Sequence, residues 1–235
     1  MKGHKNMRLK NNILLLDTET TGNFGQPLVH DLGYIILDKN FKILTKKRFM
    51  VKQVRKCHWA LDYSEFYRSK AYLYDQELEQ GFEPTLWGDI MKTLKADIKH
   101  FHVSTISAYN VAFDYRALNF TNQFLNNGDR FFEELLDKKK FLCIWNLACE
   151  TILQDPDYRL WARDKGFVSD AGNIKTDAET VYKYLTKNLE FEEEHTALQD
   201  VLIEKDILQT IVEQAKGIPQ YGLMYSVWKK VQEKK

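Results

Sequence analysis

Residues 11–22, N-N-I-L-L-L-D-T-E-T-T-G, drive an apolar run from Ile13 to Leu16 straight into two carboxylates, Asp17 and Glu19. On an extended chain alternate side chains share a face, so both acids emerge on the same side. Like charges held that close raise each other's pKa unless a cation intervenes. Hard divalent ions such as Mg²⁺ and Mn²⁺ take oxygen ligands of this kind. The longer string D-T-E-T-T-G at the end of an apolar strand is far more specific than the pair alone.

A third acid follows in S-A-Y-N-V-A-F-D-Y-R-A-L, where Asp114 sits among Val111, Ala112, Phe113 and Leu118. Taken alone, it is an acid at the favourable amino end of a helix. The fourth lies in E-E-E-H-T-A-L-Q-D-V-L-I-E-K-D-I-L. On a helical projection of Ala197 to Ala215, Gln199, Lys205, Asp206, Gln209 and Glu213 mark the polar side. Asp200 falls on the opposite arc, close to Ile207 and Ile211. A carboxylate on an apolar face is costly unless it is paired or coordinates a metal. His195 stands five residues earlier, where the chain enters that helix; alone it is a cap or a surface histidine.

Together D-T-E-T-T-G, N-x-x-F-D and H-x-x-x-x-D, spread over residues 12 to about 210, resemble the DEDD superfamily of 3′→5′ exonucleases. A histidine five before the last aspartate matches its DEDDh branch, which includes RNase T, oligoribonuclease and the proofreading subunit of bacterial replicative polymerase. The resemblance implies an RNase H-like mixed β-sheet flanked by helices. It also implies two divalent metal ions, Mg²⁺ or Mn²⁺, about 3.5–4 Å apart on the scissile phosphate. Asp17, Glu19, Asp114 and Asp200 would be their ligands and His195 the general base. Thr18 and Thr20 would lie beside the terminal nucleotide, and Asn110 would support the second motif. A histidine of ordinary pKa, about 6.5, is largely neutral at cellular pH and suits that role.

The activity this implies is hydrolysis of single-stranded DNA or RNA from its 3′ end to nucleoside 5′-monophosphates. DNA is favoured over RNA, although discrimination rests on contacts to the 2′-hydroxyl that no short motif reveals. A polymerase or replication partner also follows from the resemblance. The alternative is a nucleic-acid-binding or polymerase-accessory module of the same fold with little turnover.

The elements that must position these groups can be read from periodicity. Strands are predicted at Asn12–Thr18, Val29–Asp38 and Phe41–Val51, the last two joined by a turn at Lys39 and Asn40. Leu86, Ile90, Leu94 and Ile98 predict an amphipathic helix over residues 85–101, with Thr85 as its cap. A strand at His102–Asn110, a helix at Val111–Leu125 and a strand at Lys139–Trp145 follow, the last leading into a helix to about Leu153. Residues 155–175 read as irregular; Asp177 caps a helix to about Lys187, and Thr196–Ala215 is the last helix. A hairpin followed by alternating units makes an α/β domain with a mixed sheet, whose ligands gather at the carboxyl ends of strands.

Residues 52–84 interrupt this pattern as an aromatic-rich, largely helical insertion. Trp59, Tyr63, Phe66, Tyr67 and Tyr74 recur there in part at three- and four-residue steps, for packing or for stacking on bases. Residues 1–11 form a polar lead-in, and 12–235 read as one domain.

Composition sets outer bounds. With 44% hydrophobic and 29% charged residues and a net charge of +1, the 235-residue chain is ordinary for a soluble globular protein. Any electrostatic footprint must therefore be local. The cations between Lys39 and Lys56 read as a solvated hairpin, and Glu190, Glu192, Glu193 and Glu194 as facing water. Cys57, Cys143 and Cys149 are too few and scattered for a disulfide framework or a zinc site. No apolar stretch reaches membrane length, so a cytoplasmic protein with no membrane contact is expected.

Overall fold

β1 (Ile13–Thr20) has an apolar first half that is buried on both faces, and its alternation sorts the core into two layers. Leu14 and Leu16 join one layer, Ile13 and Leu15 the other. The computed structural model describes residues 11–21, 27–56, 65–126, 140–214 and 227–232. β2 (Val29–Leu37) pairs antiparallel with β1, and β3 (Ile43–Met50) antiparallel with β2. The Asp38 carboxylate closes their turn, accepting from the backbone N–H of Asn40 at 2.8 Å and of Lys42 at 2.9 Å. β4 (Thr105–Ala108) and β5 (Lys140–Cys143) add in parallel on the other side, giving the order β3-β2-β1-β4-β5. This is the mixed sheet flanked by helices that the sequence predicts.

After β3 come a single turn, α1 (Lys52–Arg55), then α2 (Glu65–Glu79) and α3 (Trp87–His100). α4 (Val111–Leu125) follows β4. α5 (Ile144–Glu150), α6 (Pro156–Asp164) and α7 (Ala178–Thr186) follow β5, and α8 (Ala197–Gln214) is the last long helix. Residues of α3 and α4 cover the Leu14 side of the sheet, and those of α5, α7 and α8 the Ile13 side. β1, β4 and β5 run parallel, so their carboxyl ends share one rim.

Several expectations are corrected. A helix occupies part of the span read as irregular. Asp155 caps it by accepting from the Asp157 N–H at 3.0 Å, and Pro156 starts its first turn. Thr85 does not cap α3: its backbone bonds Met50 and Lys52 at 2.9 Å each, and Leu86 stands at the cap without a side-chain bond. β1 runs on through Glu19 to Thr20, while β4 and β5 keep four residues each. The aromatic insertion is largely helical where described, and Tyr67 and Tyr74 are buried around His30, their rings 4.9 and 5.1 Å from it. For these two tyrosines packing, and not base stacking, is what the residues do. Trp59, Tyr63 and Cys57, with the lead-in up to residue 10, lie outside the described residues. Cys143 and Cys149 are buried free thiols. Among the described residues no helix is long and apolar enough to cross a membrane.

Candidate active site

The pairing of β1 with β4 ends at Leu15 and Ser107, but β1 continues against β2, with Asp17 opposite Gly33 and Glu19 opposite Asp31. The two acids therefore stand on a projecting strand end at the rim. Being odd-numbered, like Ile13 and Leu15, they share the face that α8 covers. Thr18 points to the opposite layer, where its hydroxyl donates to Asp114 Oδ1 at 2.9 Å. Asp114 reaches the rim from the first turn of α4, which rises from Asn110.

The amino end of α8 is brought to the same place by a close approach and an anchor. A Cβ on Gly33 would lie 2.4 Å from the Ala197 carbonyl carbon and the Leu198 nitrogen, so only glycine lets the helix come this near β2. The Asp31 Oδ2 then accepts from the Ala197 N–H at 3.2 Å. Arg48 holds Asp31 through its Nε at 3.0 and 2.9 Å and pairs with Glu77 through both of its terminal nitrogens. Tyr74, from the aromatic insertion, donates to Asp31 at 3.3 Å and to the His195 carbonyl at 3.1 Å. Thus the insertion supports the backbone at His195, which turns through φ of 56° before α8 begins.

Glu19, His195 and Asp200 offer ligand atoms within 4.8 Å of one another. Burial, followed by the charges of Glu204, Asp114, Glu19 and Asp200, holds the Asp17 carboxyl well above its ordinary range. Glu19 is raised likewise by burial and then by Asp200, to which it donates a hydrogen bond in its protonated form. Burial pushes Asp114 up to about 7 despite the Thr18 hydroxyl, and Asp200 up to about 7 despite its bond from Glu19. His195 moves the other way: burial and then Lys70 lower it below its ordinary 6.5, with Glu179 opposing. Its Nδ1 lies 3.8 Å from Glu193 Oε2.

Asp17, Glu19, Asp114, Asp200 and His195 are thus brought to one rim. Thr18 is buried and committed to Asp114. Thr20 lies at the end of β1 beside a bulge and is partly buried. Asn110 is exposed, with its carbonyl accepting from the Phe113 N–H at 2.8 Å. It also lines a cavity of about 410 Å³ with Tyr109, Trp145, Lys175, Thr176 and Trp228. Glu190, Glu192 and Glu194 face water as expected, but Glu193 turns inward, and burial followed by the Asp200 charge raises it to about 8. In the cation stretch, Arg48 is not solvated but buried in its ion pairs.

Sequence reasoning passed over Asp31, Gly33, Arg48, Tyr74 and Glu204. The signal for Glu204 was its place four residues after Asp200, on the same helical face. For Asp31 it was a lone acid inside an apolar strand.

No protein-family model and no curated protein matches this sequence. Solved structures do share its fold. A 3′-exonuclease recognising the histone mRNA stem-loop superposes with a TM-score of 0.63 at 11% identity, over 97% of this chain and 71% of its own. A full-length 3′-exonuclease gives 0.62 at 12% identity, over 93% and 88%. E. coli exonuclease I in complex with a dA16 oligonucleotide gives 0.55 at 18% identity over 85% of this chain, which spans only 40% of that enzyme. At these identities the likeness is one of fold: a mixed, RNase H-like sheet flanked by helices.

Proposed function

We propose that this chain is a metal-dependent 3′→5′ exonuclease of the DEDDh kind, releasing nucleoside 5′-monophosphates from single-stranded nucleic acid. The observation that carries the reading is the meeting of Asp17, Glu19, Asp114 and Asp200 with His195 at one sheet rim. Solved structures of the same fold, among them 3′-exonucleases and an exonuclease I bound to a DNA oligonucleotide, support it.

The residues fit divalent cations. All the acids offer hard oxygen donors, and Asp200 Oδ1 is buried with no hydrogen-bond partner among the described residues. Asp17, Glu19, Asp114 and Asp200 would hold two ions, Mg²⁺ or Mn²⁺. When bound, such ions neutralise charge on the scissile phosphate and make water more acidic. The chain's own groups do the rest. His195, kept neutral at pH 7 by its lowered pKa, accepts the proton of the attacking water. Thr18 fixes the rotamer of Asp114, and Tyr74 fixes the turn at His195. Thr20 and Asn110 flank the terminal nucleotide, and the cavity beside Asn110 is large enough for a base.

The reading is tested with matched 5′-labelled single-stranded DNA and RNA oligomers, with Mn²⁺, for the parent and Asp17→Asn. A ladder shortening from the 3′ end that disappears in the variant is expected, with DNA the faster polymer. A folded protein that binds Mn²⁺ yet leaves both strands intact would instead be a nucleic-acid-binding module of this fold. A polymerase or replication partner stays a secondary proposal, tested by whether a substitution at an exposed position of the insertion, Tyr72→Ala, abolishes its capture while oligomer cleavage survives.

A further inference from the structure

Glu204 lies one turn beyond Asp200 on α8, and the two acids share a face. It is 3% exposed, and its Oε2 has no hydrogen-bond partner among the described residues. Its surroundings along α8 are Val201, Ile207 and Leu208, all fully buried. The groups that act on it most strongly are Asp114, the Tyr109 backbone N–H, Asp200 and Glu193. In turn, Glu204 is the charge that weighs most on Asp17. A lone carboxylate oxygen among acids and alkyl groups is unfavourable unless something positive meets it.

We propose that Glu204 is a fifth carboxylate of the cation site, facing Asp17 and Asp114 from α8 and supplying an oxygen to the bound divalent ions. This rests on the metal-dependent reading above and adds a residue that none of the three sequence motifs contains. The geometry gives it a definite place. Asp17 and Glu19 project from β1, Asp114 from α4, and Asp200 and Glu204 from successive turns of α8. Without a cation, Glu204 only adds repulsion; with one, it tightens the site.

The test is Mn²⁺ binding by calorimetry, with thermal unfolding in EDTA, for the parent, Asp17→Asn, Glu204→Gln and Glu204→Asp. Glu204→Gln keeps shape while removing charge. It is expected to weaken Mn²⁺ binding by about 10-fold or more and to raise the melting temperature in EDTA. Glu204→Asp keeps the charge, so it retains the low EDTA stability and weakens Mn²⁺ binding less. If Glu204→Gln binds Mn²⁺ as the parent does while Asp17→Asn does not, Glu204 is no part of the site and the proposal falls alone. If the parent itself binds no Mn²⁺, the metal-dependent reading falls with it.

Discussion

Two buried acid groups meet near the start of α8, and they are neutralised in different ways. Asp31 is fully buried, yet Arg48 grips both its oxygens and Ala197 and Tyr74 donate to it. Its pKa, about 6, is a compromise between burial, which raises it, and these partners, which lower it. At the rim, Asp17, Glu19, Asp114, Asp200 and Glu204 have chiefly one another. Thr18 and backbone groups soften this, and Arg48 has a minor effect on Asp200, but burial and like charge dominate. The first group is a structural anchor complete within the protein. On the proposed reading, the second is complete only when cations arrive.

The comparison can be broken from either side. His195→Ala is expected to lower the turnover of short oligomers by about 10² to 10⁴-fold, with Mn²⁺ binding largely retained. In the parent, the rate should climb with pH through a midpoint below 6.5, because burial lowers the histidine. A pH-independent rate between 5 and 7 would count against a base at this position. Arg48→Met attacks the anchor. It leaves Asp31 buried without its cation, which costs about 3–5 kcal/mol in comparable ion pairs. Chemical denaturation should show this loss with or without Mn²⁺. A variant as stable as the parent would mean that Asp31 does not depend on Arg48.

What the sequence made legible follows the same division. The acids of the first two motifs stand beside an apolar strand or at a helix start, where short-range pattern exposes them. Asp200 was visible as an acid on the apolar arc of a long helix. Glu204 shares that arc, but a glutamate between Ile203 and Lys205 looks like ordinary helix surface until the fold covers it. Asp31 and Gly33 needed the strand register and the approach of α8, which are tertiary facts. The helix at Pro156–Asp164 carried its own start signal, Asp155-Pro156, and was hidden only by the polar, irregular look of the residues around it. Tyr74 reads as one aromatic in a stripe until its hydroxyl is seen to join Asp31 and the His195 carbonyl.

The most direct measurement is the melting temperature from pH 5 to 8, in EDTA and with saturating Mn²⁺. Asp114 and Asp200 rise from an ordinary 3.8 to about 7 on folding, so the folded chain binds more protons than the unfolded one between those values. The stability they contribute is therefore full below the ordinary value and is lost as pH rises through about 7. In EDTA, the melting temperature should fall from pH 5 to pH 8. Mn²⁺ binds the charged carboxylates, so its stabilisation should be largest at pH 8, about 2.7 kcal/mol at a hundredfold excess over its Kd. A protein whose stability in EDTA is flat across this range, and which Mn²⁺ leaves unmoved at pH 8, would contradict a rim completed by cations.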